Sequence, residues 1–225
     1  MVSEPTDIAL TTVRTFKMRS GRITPSQRNA LEQVAARFDV SSLPWADVIE
    51  RAAGKEIIAD IGFGFGDSIL HYGHAEPENF IIGVEVHLPG VGALCREAAA
   101  VDAVNIGVVV ADARTWLLSS VPQAALSGVR LFFPDPWPKA RHHKRRFIRS
   151  HVLTLLATRV RTGGFLHIAT DWADYADDAR EQLQQHPDWV LDAGSHRRAD
   201  RPITRFERRA IAQGRNVEDV FAVRG

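Results

Sequence analysis

The chain has 225 residues, 45% hydrophobic and 24% charged, with a formal net charge of +1, a balance typical of a soluble globular protein able to bury its own core. Its longest apolar runs, such as "GVVVA" at 107 to 111, fall far short of the roughly 20 residues that span a bilayer. The opening "MVSEPTDIALTTV" lacks the basic-then-apolar order of a secretory signal, and the only cysteine, Cys95, excludes an intrachain disulfide; a cytoplasmic protein without membrane contact is expected.

In chain order, the first element is a helix in "RITPSQRNALEQVAARF". Thr24 can cap it, Pro25 fits its first turn and Gln27 completes a capping box, after which Leu31, Val34, Ala35 and Phe38 share one face. From residue 56 the rhythm changes. Short β-rich runs, "EIIADIG", "NFIIGVE", "VNIGVVVAD", "VRLFFPD" and "GFLHIATD", alternate with helix-length segments, "DSILHYGHA", "GVGALCREAAAVDA", "RTWLLSSV", "FIRSHVLTLLATRV" and "ADYADDAREQLQQ". Such alternation predicts a mostly parallel sheet with helices on both faces, an α/β fold. "DWVLDA" and "EDVFAVR" could close the sheet with an antiparallel, hairpin-like element. No repeat, low-complexity tract or linker appears, so one domain over 1–225 is expected: residues 1–50 as an extension and lead-in helix, 51–225 as the core.

In open α/β sheets ligands gather beyond the carboxyl ends of the strands, and there the acids fall. "DIGFGFG" sets Asp60 ahead of Gly62, Gly64 and Gly66, glycines that let a backbone approach a ligand closely. The spacing is G-x-G-x-G, not the G-x-G-x-x-G of dinucleotide sites, and it resembles the S-adenosylmethionine loop of class I methyltransferases. Glu85 ends the second run, where a carboxylate can accept ribose hydroxyls. Asp112 ends the third, where it can accept from an adenine amino group. Each of these acids has a plain alternative as a helix cap. Asp135 ends the fourth run between two prolines, with Trp137 offering a stacking surface; a structural Pro-Asp-Pro turn is the alternative. Asp171 ends the fifth, either meeting a base edge or capping the next helix.

The cations are bunched. Arg14, Lys17, Arg19, Arg22 and Arg28 form one island; Lys139, Arg141, Lys144, Arg145, Arg146 and Arg149 a second; Arg197, Arg198, Arg201, Arg205, Arg208 and Arg209 a third. Three solvated faces would explain them, but together they suggest a polyanion. His142 and His143 could join this surface when protonated. The nine histidines and one cysteine show no ligand spacing, His71 and His74 being the nearest to a pair, so no metal is expected.

"GRITPSQRNALE", "DIGFGFG", "IGVEVHLPGVG", "LFFPDPWPKARHHKRR", "TDWADYA" and "RPITRFERR" together resemble the bacterial tRNA (guanine-N7)-methyltransferases over nearly the whole chain. The resemblance implies a class I methyltransferase, Rossmann-like core and S-adenosylmethionine as cofactor, bound by Asp60, Gly62, Gly64, Gly66, Glu85, Asp112 and Asp135. It implies Asp135 as the catalytic residue, and substrate contacts from Lys139, Asp171, Thr204, Arg205, Phe206 and Glu207, with Arg141, Lys144, Arg145 and Arg146 tracking RNA phosphates. The implied partner is tRNA, methylated at its variable-loop guanine (position 46), by a monomer or homodimer. Asp60 stands where the family more often has glutamate, and Arg205 where lysine is frequent. Seen alone, "TRFE" reads as an ordinary amphipathic strand or turn. A methyltransferase for another RNA site or a small metabolite and a non-catalytic tRNA-binding relative are competing readings, as is a nicotinamide dehydrogenase, which Glu85 alone would suit but which the glycine spacing and the PDPW turn disfavour.

Overall fold

The structure, a computed structural model, describes residues 15–16, 22–192, 194 and 197–225. Seven strands, β1 (Glu56–Ile61), β2 (Asn79–Glu85), β3 (Ile106–Val110), β4 (Leu126–Phe132), β5 (Val160–Thr170), β6 (Trp189–Leu191) and β7 (Glu218–Arg224), form one sheet in the order β3-β2-β1-β4-β5-β7-β6. The first five run parallel; β7 is antiparallel to both β5 and β6. The sheet is therefore mixed, and the expected antiparallel closure is made by β6 and β7.

Alternate residues of the central strands feed two cores. In β2, Phe80, Ile82 and Val84 pack with α2 (Trp45–Ala52), α5 (Ala113–Ser119), α6 (Ser150–Arg159) and α7 (Ala173–Gln184), whereas Ile81 faces α3 (Asp67–Ala75) and α4 (Leu88–Ala100). That period of two fixes which helices lie on which side.

The lead-in helix, α1 (Pro25–Gln33), starts as its sequence predicts. Thr24 accepts from the Gln27 N–H at 3.3 Å and the Gln27 side chain accepts from the Thr24 N–H at 2.9 Å. It lies on α4 at Gly92, where an added Cβ would sit 2.6 Å from the Gln27 carbonyl oxygen. Phe38 follows in the core, and Val40 and Phe38 bond the backbone of Val108 at the β3 edge. The extension is thereby joined to the sheet.

Two helices were not foreseen. α2 follows Pro44 and ends at Ala53, in the left-handed region at φ 52°. α8 (Arg205–Ala212) is inserted between β6 and β7 and contains the segment read as a strand or turn. Thr204 caps it by accepting from the Glu207 N–H, so "TRFE" was a legible S/T-x-x-E helix start.

Candidate active site

A cavity of about 360 Å³ opens at the carboxyl ends of β1, β2, β3 and β4. Its wall is mostly apolar, with Phe16, Ile23, Phe65, Leu88, Phe133 and Phe206 among the lining residues. Among the described residues, Glu85, Asp112 and Asp135 are the acids lining it, and no lysine or arginine does. Such a lining suits an amphipathic, cationic nucleoside and offers no cation to a phosphate.

The glycine loop forms one side. Gly62, Gly64 and Gly66 all have positive φ, 71°, 62° and 90°, which a side chain would strain. The start of α4 presses on the loop so closely that a Cβ at Gly90 would fall 1.9 Å from the Gly64 carbonyl oxygen. Glu85 is fixed by three backbone donors: Gly64 N–H gives to Oε2 at 2.9 Å, and Val86 and His87 N–H give to Oε1 at 2.7 and 3.0 Å. Its carboxylate is thus oriented before any ligand arrives, with most spare acceptor capacity on Oε2.

Asp112 is a helix cap and also a residue of the cavity wall. Its Oδ1 caps α5 by accepting from the Arg114 and Thr115 N–H groups at 3.0 and 3.1 Å, while the residue also lines the cavity. Asp135 lines the opposite wall, in a turn whose neighbours Phe133 and Trp137 both hold positive φ, 53° and 46°. A strained, proline-bounded turn of this kind holds its aspartate in one place.

Asp60 stands apart. It is buried beneath the glycine loop beside a second, much smaller cavity, whose lining includes Ser68, Thr204 and Phe206. Ser68 donates to Oδ2 at 2.8 Å, and buried Oδ1 has no hydrogen-bond partner among the described residues. Burial pushes its pKa up to about 6, against smaller lowering effects of Ser68 and Arg130. An orphaned buried carboxylate oxygen is an unmet demand for a donor, of the kind an ammonium group would meet.

The cation-rich turn separates into two sets. Lys139, Arg141 and Lys144 are exposed. Arg145 lays its guanidinium over the Trp137 ring at 4.9 Å, and Trp137 itself is buried with its indole N–H on the Thr15 carbonyl at 3.0 Å. Trp137 therefore holds Thr15 and, being buried, offers no open stacking face. Arg146, expected on the RNA-facing surface, is 1% exposed and pairs with Asp174 at 2.6 Å and Asp178 at 2.9 Å. Burying a guanidinium without such partners would be prohibitive, so its role is to anchor the turn to α7. His142 is pushed below the ordinary histidine range by desolvation and by Arg141, Arg145, Lys139 and Lys144, which keeps it out of the cationic surface at neutral pH.

The third island is largely structural too. Arg201, buried, donates to both oxygens of Glu207 at 2.7 and 3.2 Å, and its Nε lies 2.8 Å from Asp219. Glu207, expected to touch substrate, is 2% exposed and also pairs with Arg197 at 2.8 Å. Thr204 is buried as the α8 cap. Arg205, expected on substrate, is bound to Asp67 and lies over the Phe65 ring at 4.5 Å. Phe206 alone of the four lines the large cavity, stacked on Phe133 at 6.1 Å. Asp171 caps nothing: its Oδ2 accepts from Arg215 Nε at 2.8 Å and the cap position of α7 falls to Trp172. Arg14, Lys17 and Arg19 lie outside the described residues.

A family model described as "Putative methyltransferase" matches residues 54–220. The tRNA (guanine-N(7)-)-methyltransferase of Alkalilimnicola ehrlichii is 41% identical over 93% of this chain and 91% of its own, and that of Halorhodospira halophila 42% identical over 92% and 93%. The chain belongs to the tRNA (guanine-N7)-methyltransferase family. Solved methyltransferases share the fold at lower identity: an antibiotic-related methyltransferase superposes with a TM-score of 0.60 at 15% identity, covering 83% of this chain and 96% of its own. The aminoglycoside resistance methyltransferase NpmB1 gives 0.53 at 17%, covering 82% and 95%.

In this member of the family, sequence reasoning missed Thr15, Phe16, Phe65 and His87 as cavity residues. The His87 ring meets Phe65 edge-on at 5.8 Å. Only the motif "IGVEVH" held a signal, since the residues after a strand-terminal acid necessarily border the same crevice.

Proposed function

We propose that this chain transfers the methyl group of S-adenosylmethionine to N7 of the variable-loop guanine, position 46, of tRNA. The observation that carries the reading is the cavity itself: three acids and no arginine or lysine line it among the described residues, and Asp135 on its wall stands four positions before Lys139 in the exposed cationic turn. Glu85 and Asp112 suit the hydroxyls and amino group of a nucleoside, and Asp60, with its orphaned oxygen, suits an ammonium. When bound, S-adenosylmethionine supplies an electrophilic methyl group.

Guanine N7 carries a lone pair and no proton, so the chain needs no general base; it has to place the base in line, an orientation effect worth up to roughly 7–11 kcal/mol. Asp135 is assigned that placement, together with stabilising the positive charge that the purine acquires. Asp171, whose Oδ2 is held by Arg215, is assigned to the guanine edge. Phe206 shapes the wall. Lys139, Arg141 and Lys144 bind phosphates. One domain over 1–225, working in the cytoplasm, completes the proposal.

The test is transfer of radiolabelled methyl from S-adenosylmethionine to unmodified tRNA, followed by aniline cleavage at N7-methylguanine. Cleavage at position 46 is expected. Incorporation without it reassigns the target to another RNA site, and tRNA binding without incorporation favours the non-catalytic relative.

A further inference from the structure

Asp67 belongs to neither the acids that line the large cavity nor the buried network. It is the first residue of α3, directly after Gly66, and it reaches a partner 138 positions away at the start of α8. Its Oδ2 accepts the Arg205 backbone N–H at 2.8 Å; Arg205 Nε gives to both oxygens at 3.1 Å and Nη2 to Oδ1 at 2.6 Å. Side-chain and main-chain bonds converge on one carboxylate, a geometry that an arginine fork permits and a lysine cannot reproduce.

What lies beneath gives the pair its purpose. Arg205 rests on Phe65 of the glycine loop, whose other contact is the His87 ring. The next residue, Phe206, approaches Gly64 so closely that a Cβ there would meet its ring at 3.1 Å. Phe206 lines both the large cavity and the small one beside Asp60. With Gly62, Phe65, Phe132 and Phe133, which also line both cavities, the start of α8 therefore forms part of the wall between the compartment holding Glu85, Asp112 and Asp135 and the compartment holding Asp60.

We infer that Asp67 is a positioning residue that latches α8 across the glycine loop through Arg205, so that Phe206 closes the cavity and slows escape of the cofactor. The inference rests on the cofactor reading above. The pair is half open to water, with side-chain exposures of 23% for Asp67 and 48% for Arg205, so its loss acts on this seam more than on the fold. The bonds are charge-assisted and screened by salt.

The experiment compares the full chain with D67N and R205K by calorimetric titration of S-adenosylmethionine and by amide hydrogen exchange over residues 204–212. D67N is expected to bind about tenfold more weakly, with the cofactor KM raised to match and kcat within about twofold. Exchange at the start of α8 should quicken without ligand, and R205K, which keeps the charge but not the fork, should fall between. Equal affinity and equal exchange in D67N would overturn the latch. A wild-type chain that fails to bind S-adenosylmethionine would overturn the cofactor reading and the inference together, and the wild-type titration separates that failure from the first.

Discussion

Asp135 and Asp60 show how differently two aspartates at strand ends can be used. Asp135 lines the open cavity, in a stiff turn, and its proposed work is electrostatic. Asp135→Asn keeps the shape and removes the charge, so single-turnover methylation should fall by about 100-fold or more, while filter binding of tRNA changes less than about threefold. Asp60 is buried with a pKa raised to about 6 from 3.8. Between those two values the folded chain holds more protons than the unfolded one, so this group's contribution to stability declines as pH rises from about 4 to about 6. Asp60→Asn is therefore expected to melt higher than wild type at pH 7.5, by about 1–3 kcal/mol, with the gap closing below about pH 4; thermal denaturation across that range checks it. The same substitution should weaken S-adenosylmethionine binding, because an amide does not answer an ammonium as a carboxylate does.

At the scale of elements, α8 is held by charge from below and above. Beneath it Arg201, Glu207, Asp219 and His167 are all buried, and desolvation pushes His167 below its ordinary range despite Asp219 at 3.5 Å. Removing one member leaves a charge stranded: Glu207→Ala should cost about 3–5 kcal/mol in urea unfolding, against about 1 kcal/mol for Thr204→Ala, which loses only a cap. Comparable losses would show that the network adds nothing beyond the cap. These partners explain what the sequence left hidden. The glycine loop, the strand-terminal acids and the α1 capping box are patterns within a few residues, and they were legible as written. Arg146 meets Asp174 and Asp178 about one helix away, and Arg205 meets Asp67 across most of the chain. No local pattern distinguishes a charge destined for RNA from one destined for a buried partner, so Arg146 was expected on phosphates and Glu207 on substrate. The helix at "TRFE" is a different case: Thr204 caps it from within the four residues, but Glu207 is drawn to Arg197 and Arg201 instead of closing a capping box, so the pattern is as much a charge cluster as a helix start.

For the whole molecule, the net charge of +1 conceals an uneven distribution. Once the buried Arg146 and Arg201 and the Asp67-bound Arg205 are set aside with their acids, Lys139, Arg141 and Lys144 remain exposed in the turn after Asp135. Affinity for tRNA should therefore fall with salt, with a slope of about −0.7 to −0.9 per phosphate neutralised, and substituting Lys139, Arg141 and Lys144 together by alanine should flatten it. Electrophoretic or filter binding at graded salt measures both. The helix α8 shapes assembly as well. Because β7 enters the sheet between β5 and β6, β6 has no neighbouring strand until residues 218–224 are in place. A nascent chain that has emerged only as far as β6 carries a cavity that still lacks Phe206 beside an unfinished sheet, with the Asp219 partner of Arg201 still unmade. Phe206 and β7 both emerge late, so the seam that closes over the cavity is among the last parts of the molecule to be set during synthesis.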